Sequence, residues 1–576
     1  MARPRQSRLR IRGELVAKSP LHVGTLGGGI ETDLPLYSDG QGRTCIPGTA
    51  LTGTLRDWLR RSYDAPINPS RSLSNIDETR TGAVLGFQRE GGGDDSAQGM
   101  ASFVMVEDAP LIGDDLQEVW DGVGIDREYG AAADGIKFDR AVLPRGSRFQ
   151  FEMTVDVPPD HVLLKQYYGD SKLIEEFPSP EEIRGRIAHL VLALTKGEVR
   201  LGAGQTRGLG RIQLDNTTVS IVHEDWSSKQ GILETLKKQS QVEQLGDGNT
   251  DFVGFATSET KPHVGNTLDI TIHWTPDGPL MVKGPADGMA VDILPFVSRN
   301  GAEISLTLPG SGIKGALRSQ AERIMRTALG WDDASSWDER HRHLSQLNVP
   351  IVNELFGWAK PPEQQAKQFH GLGRGWLEVD TCYSENLKLQ PEQWSKLAWA
   401  SGSNDVPPAG SMTPLYQELE SAGLRNKDRL QGKPYFEQAY HVAIDRWTGA
   451  AAEGFLYSAI EPLNIEWEPI QLTLTFPHFE TCEETQKRQQ AVLALLLLTL
   501  REMMQGSIPL GFGTNRGYGQ VNVTNLSLSG QLEGGEWLVN RDITTFEDLF
   551  SGCPEEFRKS WGDTVDALVA KERAQA

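Results

Sequence analysis

Three short motifs occur twice in this chain, in the same order. PGTALTGTLR at Pro47–Arg56 returns as PGSGIKGALR at Pro309–Arg318, IDREYGAAADG from Ile125 as IDRWTGAAAEG from Ile444, and LGAGQTRGLG from Leu201 as LGFGTNRGYG from Leu510. The copies lie about 260 to about 320 residues apart, far more than a solenoid repeat, so each is expected to be a whole domain. Such a chain must build the same core twice.

With 576 residues, 38% of them hydrophobic, and 14 Trp, each half is long enough to bury that core. The most apolar run, Ala491–Leu498, is too short to cross a bilayer and gives way to Thr499, Leu500, Arg501 and Glu502, so it reads as a buried helix. The basic segment Met1–Arg12 has no apolar run behind it, which argues against a secretory signal and makes the cytoplasm the expected location. Cys45, Cys382, Cys482 and Cys553 are scattered and suggest neither a zinc site nor a disulfide framework. A net charge of −21 opposes indiscriminate binding of polyanions, so any nucleic-acid site must be local and basic.

Periodicity gives the plan of the elements. Arg8, Arg10 and Arg12 alternate with Leu9 and Ile11, which puts cations on one face of a strand and aliphatics on the other. A helix follows Pro47, a strand covers Phe149–Val155, and a helical stripe runs over Glu181–Thr195. The second half repeats this with strands at Leu268–Trp274 and Ile470–Phe476 and helices at Gly310–Thr327 and Gln489–Met504. The order predicts an α+β sandwich of ferredoxin-like type in each half. The expected division is a first domain over 1–223, a polar linker over 224–250, a second domain over 251–530 with an insertion at about 385–438, and a tail over 531–576 that docks as a helix on its own chain or a neighbour. Arg89–Gly99 and the insertion are expected to be mobile.

Each motif has two readings. The proline and glycine of PGxxxxGxLR open a helix whose free amides attract phosphate, with Arg56, Lys314 and Arg318 nearby; an ordinary helix start packed on a sheet is the alternative. LGxGxxRGxG brings amides and Arg207 or Arg516 to a phosphate, or is a tight structural hairpin. It is followed by a strand rather than a helix, which excludes a dinucleotide fingerprint. Asp126 with Arg127, and Asp445 with Arg446, either pair internally or present a guanidinium to RNA. Trp447 either packs or stacks on a base.

Together the three motifs resemble those of the RAMP superfamily of CRISPR-associated RNA-binding proteins, and best its backbone subunit of type III effector complexes. Two copies in one chain resemble the tandem backbone subunit of subtype D. The resemblance implies two ferredoxin-like or RRM-like palm domains, each with a protruding thumb hairpin, stacked on a guide CRISPR RNA beside other effector subunits. It implies guide contacts through Arg56, Arg127, Arg207, Gly208, Lys314, Arg318, Arg446, Arg516 and Gly517. It implies cutting of paired target RNA at regular intervals, supported by Mg2+ or another divalent cation, with no membrane partner. The family's cutting residue is an aspartate two positions before a proline, which Asp33 matches before Pro35. Asp292 stands one residue further from Pro295 and reaches the same place only if its loop absorbs the extra residue. Alternatives are an Asx-turn role for Asp33, a non-cutting scaffold, or a guide-processing nuclease relying on histidine. His22 has Met281 as its counterpart, which argues against the last; Glu31, Asp39 and Asp287 read as solvated loop positions.

Overall fold

The computed structural model describes residues 4–25, 27, 29, 32–64, 80–88, 99–160, 177–247, 251–256, 262, 266–285, 291–331, 342–358, 373–398, 419–421, 423–425, 434–477 and 482–573. The Arg89–Gly99 stretch falls almost entirely outside them, as do Glu31 and Asp287.

A long antiparallel strand forms the centre of each domain. In the first it is β1 (Ser7–Ala17), which leads through α1 (Gly48–Tyr63) to the hairpin β2 (Glu118–Ile125) and β3 (Ala132–Val142). Then come β4 (Arg148–Val157), α2 (Pro180–Lys196), β5 (Arg211–Leu214), β6 (Ser220–Asp225) and β7 (Gln241–Gln244). β1 pairs with β4 along one edge, from Ser7↔Val157 to Val16↔Arg148, and with β5 and β6 along the other. The alternation read from the sequence holds. Leu9, Ile11 and Leu15 are at most 1% exposed against α1 and α2, while Arg8 pairs with Asp156 at 2.7 Å and Arg12 with Glu152 at 2.8 Å on the opposite face. Local sequence fixes the ends of α2: Ser179 and Glu182 form a capping box, Pro180 opens the first turn, and Gly197 closes the helix at φ 73°.

The second domain repeats this order with β8 (Thr267–Asp277), α3 (Gly310–Leu329), β9 (Leu377–Val379), the hairpin β10 (Tyr435–Ile444) and β11 (Ala451–Leu463), β12 (Ile470–Thr475), α4 (Glu483–Met504) and β13 (Gln520–Gln531). β8 lies between β12 and β13, as β1 lies between β4 and β5–β6. In α4, Ala491–Leu497, Thr499 and Leu500 are buried, because the sheet takes one side and α3 with the C-terminal helix α5 (Glu555–Arg573) takes the other. Both domains are therefore α+β and ferredoxin-like, with a hairpin projecting from each.

Two expectations change. Residues 224–247 are no loose linker: β6 and β7 extend the first sheet, and Phe252, just beyond, is 1% exposed in the first core. Main-chain pairing of the first domain thus continues well past residue 223. The described parts of the insertion are not loose either, since Trp394, Leu419 and Leu424 pack with Phe436 and Ile460 into a small core at the root of the second hairpin. The tail docks on its own chain, through β14 (Arg541–Ile543) on β13 and α5 on α4.

The domains meet through a mixed junction. Trp120 of β2 packs edge-on against Phe296 with ring centroids 5.1 Å apart, beside Val142 and Leu209. Arg200 bridges Glu378 at 2.8 Å and Asp380 at 2.6 Å with all three side chains largely buried, a geometry in which losing one partner strands a charge. Trp120→Ala is expected to remove about 3–5 kcal/mol from this junction and split thermal unfolding into two transitions in calorimetry. One unshifted transition would contradict it.

Candidate functional site

The loop aspartates sit at the roots of the two hairpins. Asp33 and Asp139 of β3 exchange bonds: Asp33 N donates to Asp139 Oδ1 at 2.6 Å and Asp139 N to Asp33 Oδ2 at 3.0 Å. In the second domain Ser458 of β11 donates to Asp292 Oδ2 from its main-chain N at 2.7 Å and from Oγ at 3.0 Å. Asp139 and Ser458 each lie 14 residues after the isoleucine of their IDR motif. The next residues agree as well, Leu34 bridging to Arg140 and Ile293 to Ala459 in parallel. Asp33 and Asp292 are thus structural equivalents, and the extra residue falls after Ile293. Both side chains are exposed.

These roots differ in one respect. Asp33 shares its site with a second carboxylate, whereas Asp292 faces a hydroxyl. Among the described residues no group of three or more His, Cys, Asp or Glu could hold a metal by itself. A hard cation such as Mg2+, which takes one or two carboxylates and completes its shell with water and phosphate, fits Asp33 with Asp139 better than Asp292 alone.

The glycine loops are built alike. In the first, Leu201 N donates to Gly210 O, and Arg207 N and Leu209 N both donate to Gly204 O; in the second, Leu510, Arg516 and Tyr518 repeat these bonds onto Gly519 and Gly513. Gly210 at φ 86° and Gly519 at φ 73° press on the carbonyls of Leu201 and Leu510, where a β-carbon would collide. These loop amides serve the hairpin, so the tight-turn reading accounts for the glycines. Arg207 and Arg516 are both exposed.

Next to Arg516 lies a cluster that sequence reasoning missed. The Arg516 guanidinium bonds the Tyr457 hydroxyl and sits 5.6 Å from that ring, His441 stacks on Tyr457 at 5.0 Å, and the Tyr518 hydroxyl contacts His441 Nε2 at 2.9 Å and donates to Glu461. Burial, then the bond to Glu461, pushes the Tyr518 phenol well up. The signal was one letter, RGYG in place of RGLG.

Several residues expected at phosphate contacts already have protein partners. The α1 start is capped by Asp108, whose Oδ1 accepts from Gly48 N at 2.7 Å, and the α3 start by Thr381 Oγ1 at 3.3 Å. Arg56 donates to Leu85 O at 2.7 Å. Arg318 bonds Glu322 at 2.7 Å and the Leu347 and Gly357 carbonyls, and Arg127 reaches the same Glu322 at 2.6 Å. Gly208 is buried against Thr381, which donates from Oγ1 to its carbonyl at 3.0 Å. Asp126 and Asp445 cap the turns at their own hairpin tips, accepting from Glu128 and Tyr129 or from Trp447 and Thr448. His22 is buried with Nδ1 2.7 Å from Ala141 O, and Asp39 holds Arg43. Arg207, Arg446, Arg516 and Gly517 remain exposed, and Trp447 is 96% exposed at the second tip.

Lys314 is 5% exposed, donating from Nζ to Leu377 O at 2.7 Å, and burial pushes its ammonium down to about 7. Between that value and the ordinary 10.5 the unfolded chain binds more protons, so this lysine makes stability rise with pH across the window; below it the penalty is constant. Lys314→Met should therefore melt higher than the parent near pH 7, with an advantage that shrinks towards pH 9. An advantage independent of pH would contradict this.

The sequence profile of the RAMP superfamily matches residues 14–213 and 295–522, one block in each domain and well over half of the chain. A search of curated proteins found no match.

Proposed function

The chain belongs to the RAMP superfamily of CRISPR-associated RNA-binding proteins, and from that premise we propose that it is the tandem backbone subunit of a type III effector complex, of the subtype D kind, binding guide RNA and supporting cleavage of the paired target. The observation that carries this reading is the equivalence of Asp33 and Asp292, each exposed and anchored at the root of a projecting hairpin.

A hairpin that interrupts a duplex splays the target strand at its root. There the ribose 2′-hydroxyl can lie in line with the departing 5′-oxygen, the arrangement that lowers the barrier by orientation. The O2′–P bond forms as the P–O5′ bond breaks, the electron pair leaves on the 5′-oxygen, and that oxygen takes up a proton, giving a cyclic phosphate and a 5′-hydroxyl. Asp33 and Asp292 would accept the proton from the 2′-hydroxyl, a role supported by the main-chain amide that orients each carboxylate. A divalent cation, held at the first root by Asp33 and Asp139, would supply compensation for charge on the phosphate.

Guide contacts through Arg207, Arg516 and Gly517 would be independent of sequence. Arg207→Ala is expected to weaken guide binding about equally for unrelated sequences and to lower the salt slope by about one. A changed sequence preference would count against it.

The assembled complex, given labelled target RNA and magnesium, tests the cutting. Asp33→Asn and Asp292→Asn are each expected to remove a different product band, with a loss of at least about a hundredfold at that position. Unchanged cutting in both would favour a scaffold role. The single carboxylate at the second root favours a mixed reading, in which only the Asp33 band depends strongly on the cation.

A further inference from the structure

The two hairpin roots differ again across the ribbon. Residues directly opposite each other in an antiparallel pair share a face. Opposite Ser458, whose hydroxyl holds Asp292, stands Tyr440; opposite Asp139, whose amide holds Asp33, stands Asp121. Tyr440 is 67% exposed, and among the described residues no hydrogen bond or ring contact engages it. Asp121 is instead paired with Lys137 at 3.1 Å. The next pair towards the tip continues the contrast, Val442 with Leu456 in the second hairpin and Val123 with Lys137 in the first. His441 and Tyr457 form the neighbouring cross-strand pair on the other face, where they stack on each other and are held by Arg516 and Tyr518, so they are already engaged. Tyr440 is a large aromatic ring left bare beside an exposed carboxylate.

Its position suits a nucleobase. β10 pairs along one edge of β11, and Asp292 bonds Ser458 from the other edge, beside the bridge of Ile293 to Ala459. With strands about 4.8 Å apart, Tyr440 and Asp292 stand two spacings, or about 10 Å, from each other across Ser458. That is roughly the span of a single nucleotide from base to phosphate. A base turned out of its helix loses its stacking neighbours, and an aromatic ring replaces them, an exchange that changes binding by roughly fivefold to a hundredfold. The Asp121–Lys137 pair offers no such ring.

We propose that Tyr440 sets a base requirement at the second root, a role that rests on the chain being a target-cutting subunit. The base of the target nucleotide displaced there lies on the Tyr440 ring, which brings the ribose and phosphate of that nucleotide across Ser458 to Asp292. The first root, with Asp121 and Lys137 in that place, makes no use of the base. The second cut alone therefore discriminates, fastest with a purine, whose larger face stacks best, and slowest with no base at all.

The test uses the assembled complex and a target RNA carrying an abasic ribonucleotide, which keeps the 2′-hydroxyl and the phosphate, at each nucleotide flanking one cut in turn. Under single turnover, one such substitution at the second cut is expected to slow the Asp292-dependent band roughly ten- to a hundredfold, while those at the first cut slow the Asp33-dependent band by less than about threefold. Tyr440→Ala should slow the second band to a similar degree on intact target and lose little more when the base is missing, a coupling that a merely structural role would not produce. Tyr440→Phe, which keeps the ring, should restore the dependence on the base. Contact is read separately from cutting: with Asp292→Asn in the complex and 5-iodouridine at the same nucleotide, irradiation should join the target to Tyr440. The proposal is overturned if the abasic nucleotide acts alike at both cuts, if Tyr440→Ala leaves the base dependence of the second cut intact, or if the crosslink falls on Trp447 at the tip. A complex that binds target without cutting it would refute the cleavage role and leave this one to the crosslink, whose absence at Tyr440 overturns it.

Discussion

The close approach of the Gly208 loop to the start of α3 is the contact on which the relative placement of everything else depends. Only residues without a β-carbon allow it: Gly310 and Gly208 face each other across a gap that a side chain on either would close, and Thr381 stitches them by donating to one and accepting from the other. Beside this contact lie the seating of Trp120 against Phe296 and the reach of Arg127 to Glu322. The ion pairs around it cost desolvation and are sensitive to the loss of any member, which makes them a means of specifying one arrangement more than a source of stability.

Charge in this protein is mostly spent on itself. Arg8, Arg12 and Arg148 on the outer face of the first sheet pair with Asp156, Glu152, Glu14 and Asp215, and Arg127 and Arg318 share Glu322. A net charge of −21 therefore coexists with a few exposed arginines on projecting loops, where a polyanion meets them before it meets the acidic bulk.

The regular elements and the duplication were legible because period and motif are local properties. β1 showed its two faces by alternation and α4 its burial by an unbroken apolar run, whereas the IDR motif did not announce that it turns the hairpin tips. What resisted reading was long-range. Residues 224–250 look like a linker because an edge strand with one solvated face carries little apolar pattern, yet β6 reaches into this stretch and β7 within it pairs on β6 to extend the sheet. Arg56, Lys314 and Arg318 look like phosphate ligands because nothing nearby in sequence announces the carbonyls of Leu85, Leu377 and Leu347. The equivalence of Asp292 with Asp33 was hidden by one residue of spacing and emerged only through their partners on the hairpins.

Each hairpin breaks register at the same point, between Val123 and Ile125 in the first and between Val442 and Ile444 in the second. A bulge of this kind bends a ribbon and sharpens its twist, so each hairpin carries the same local irregularity at the same distance from its tip. The chain is in effect a comb with two matched teeth. Whatever strand is laid along it would meet the two roots at a spacing dictated by the protein's own backbone, indifferent to the letters of that strand.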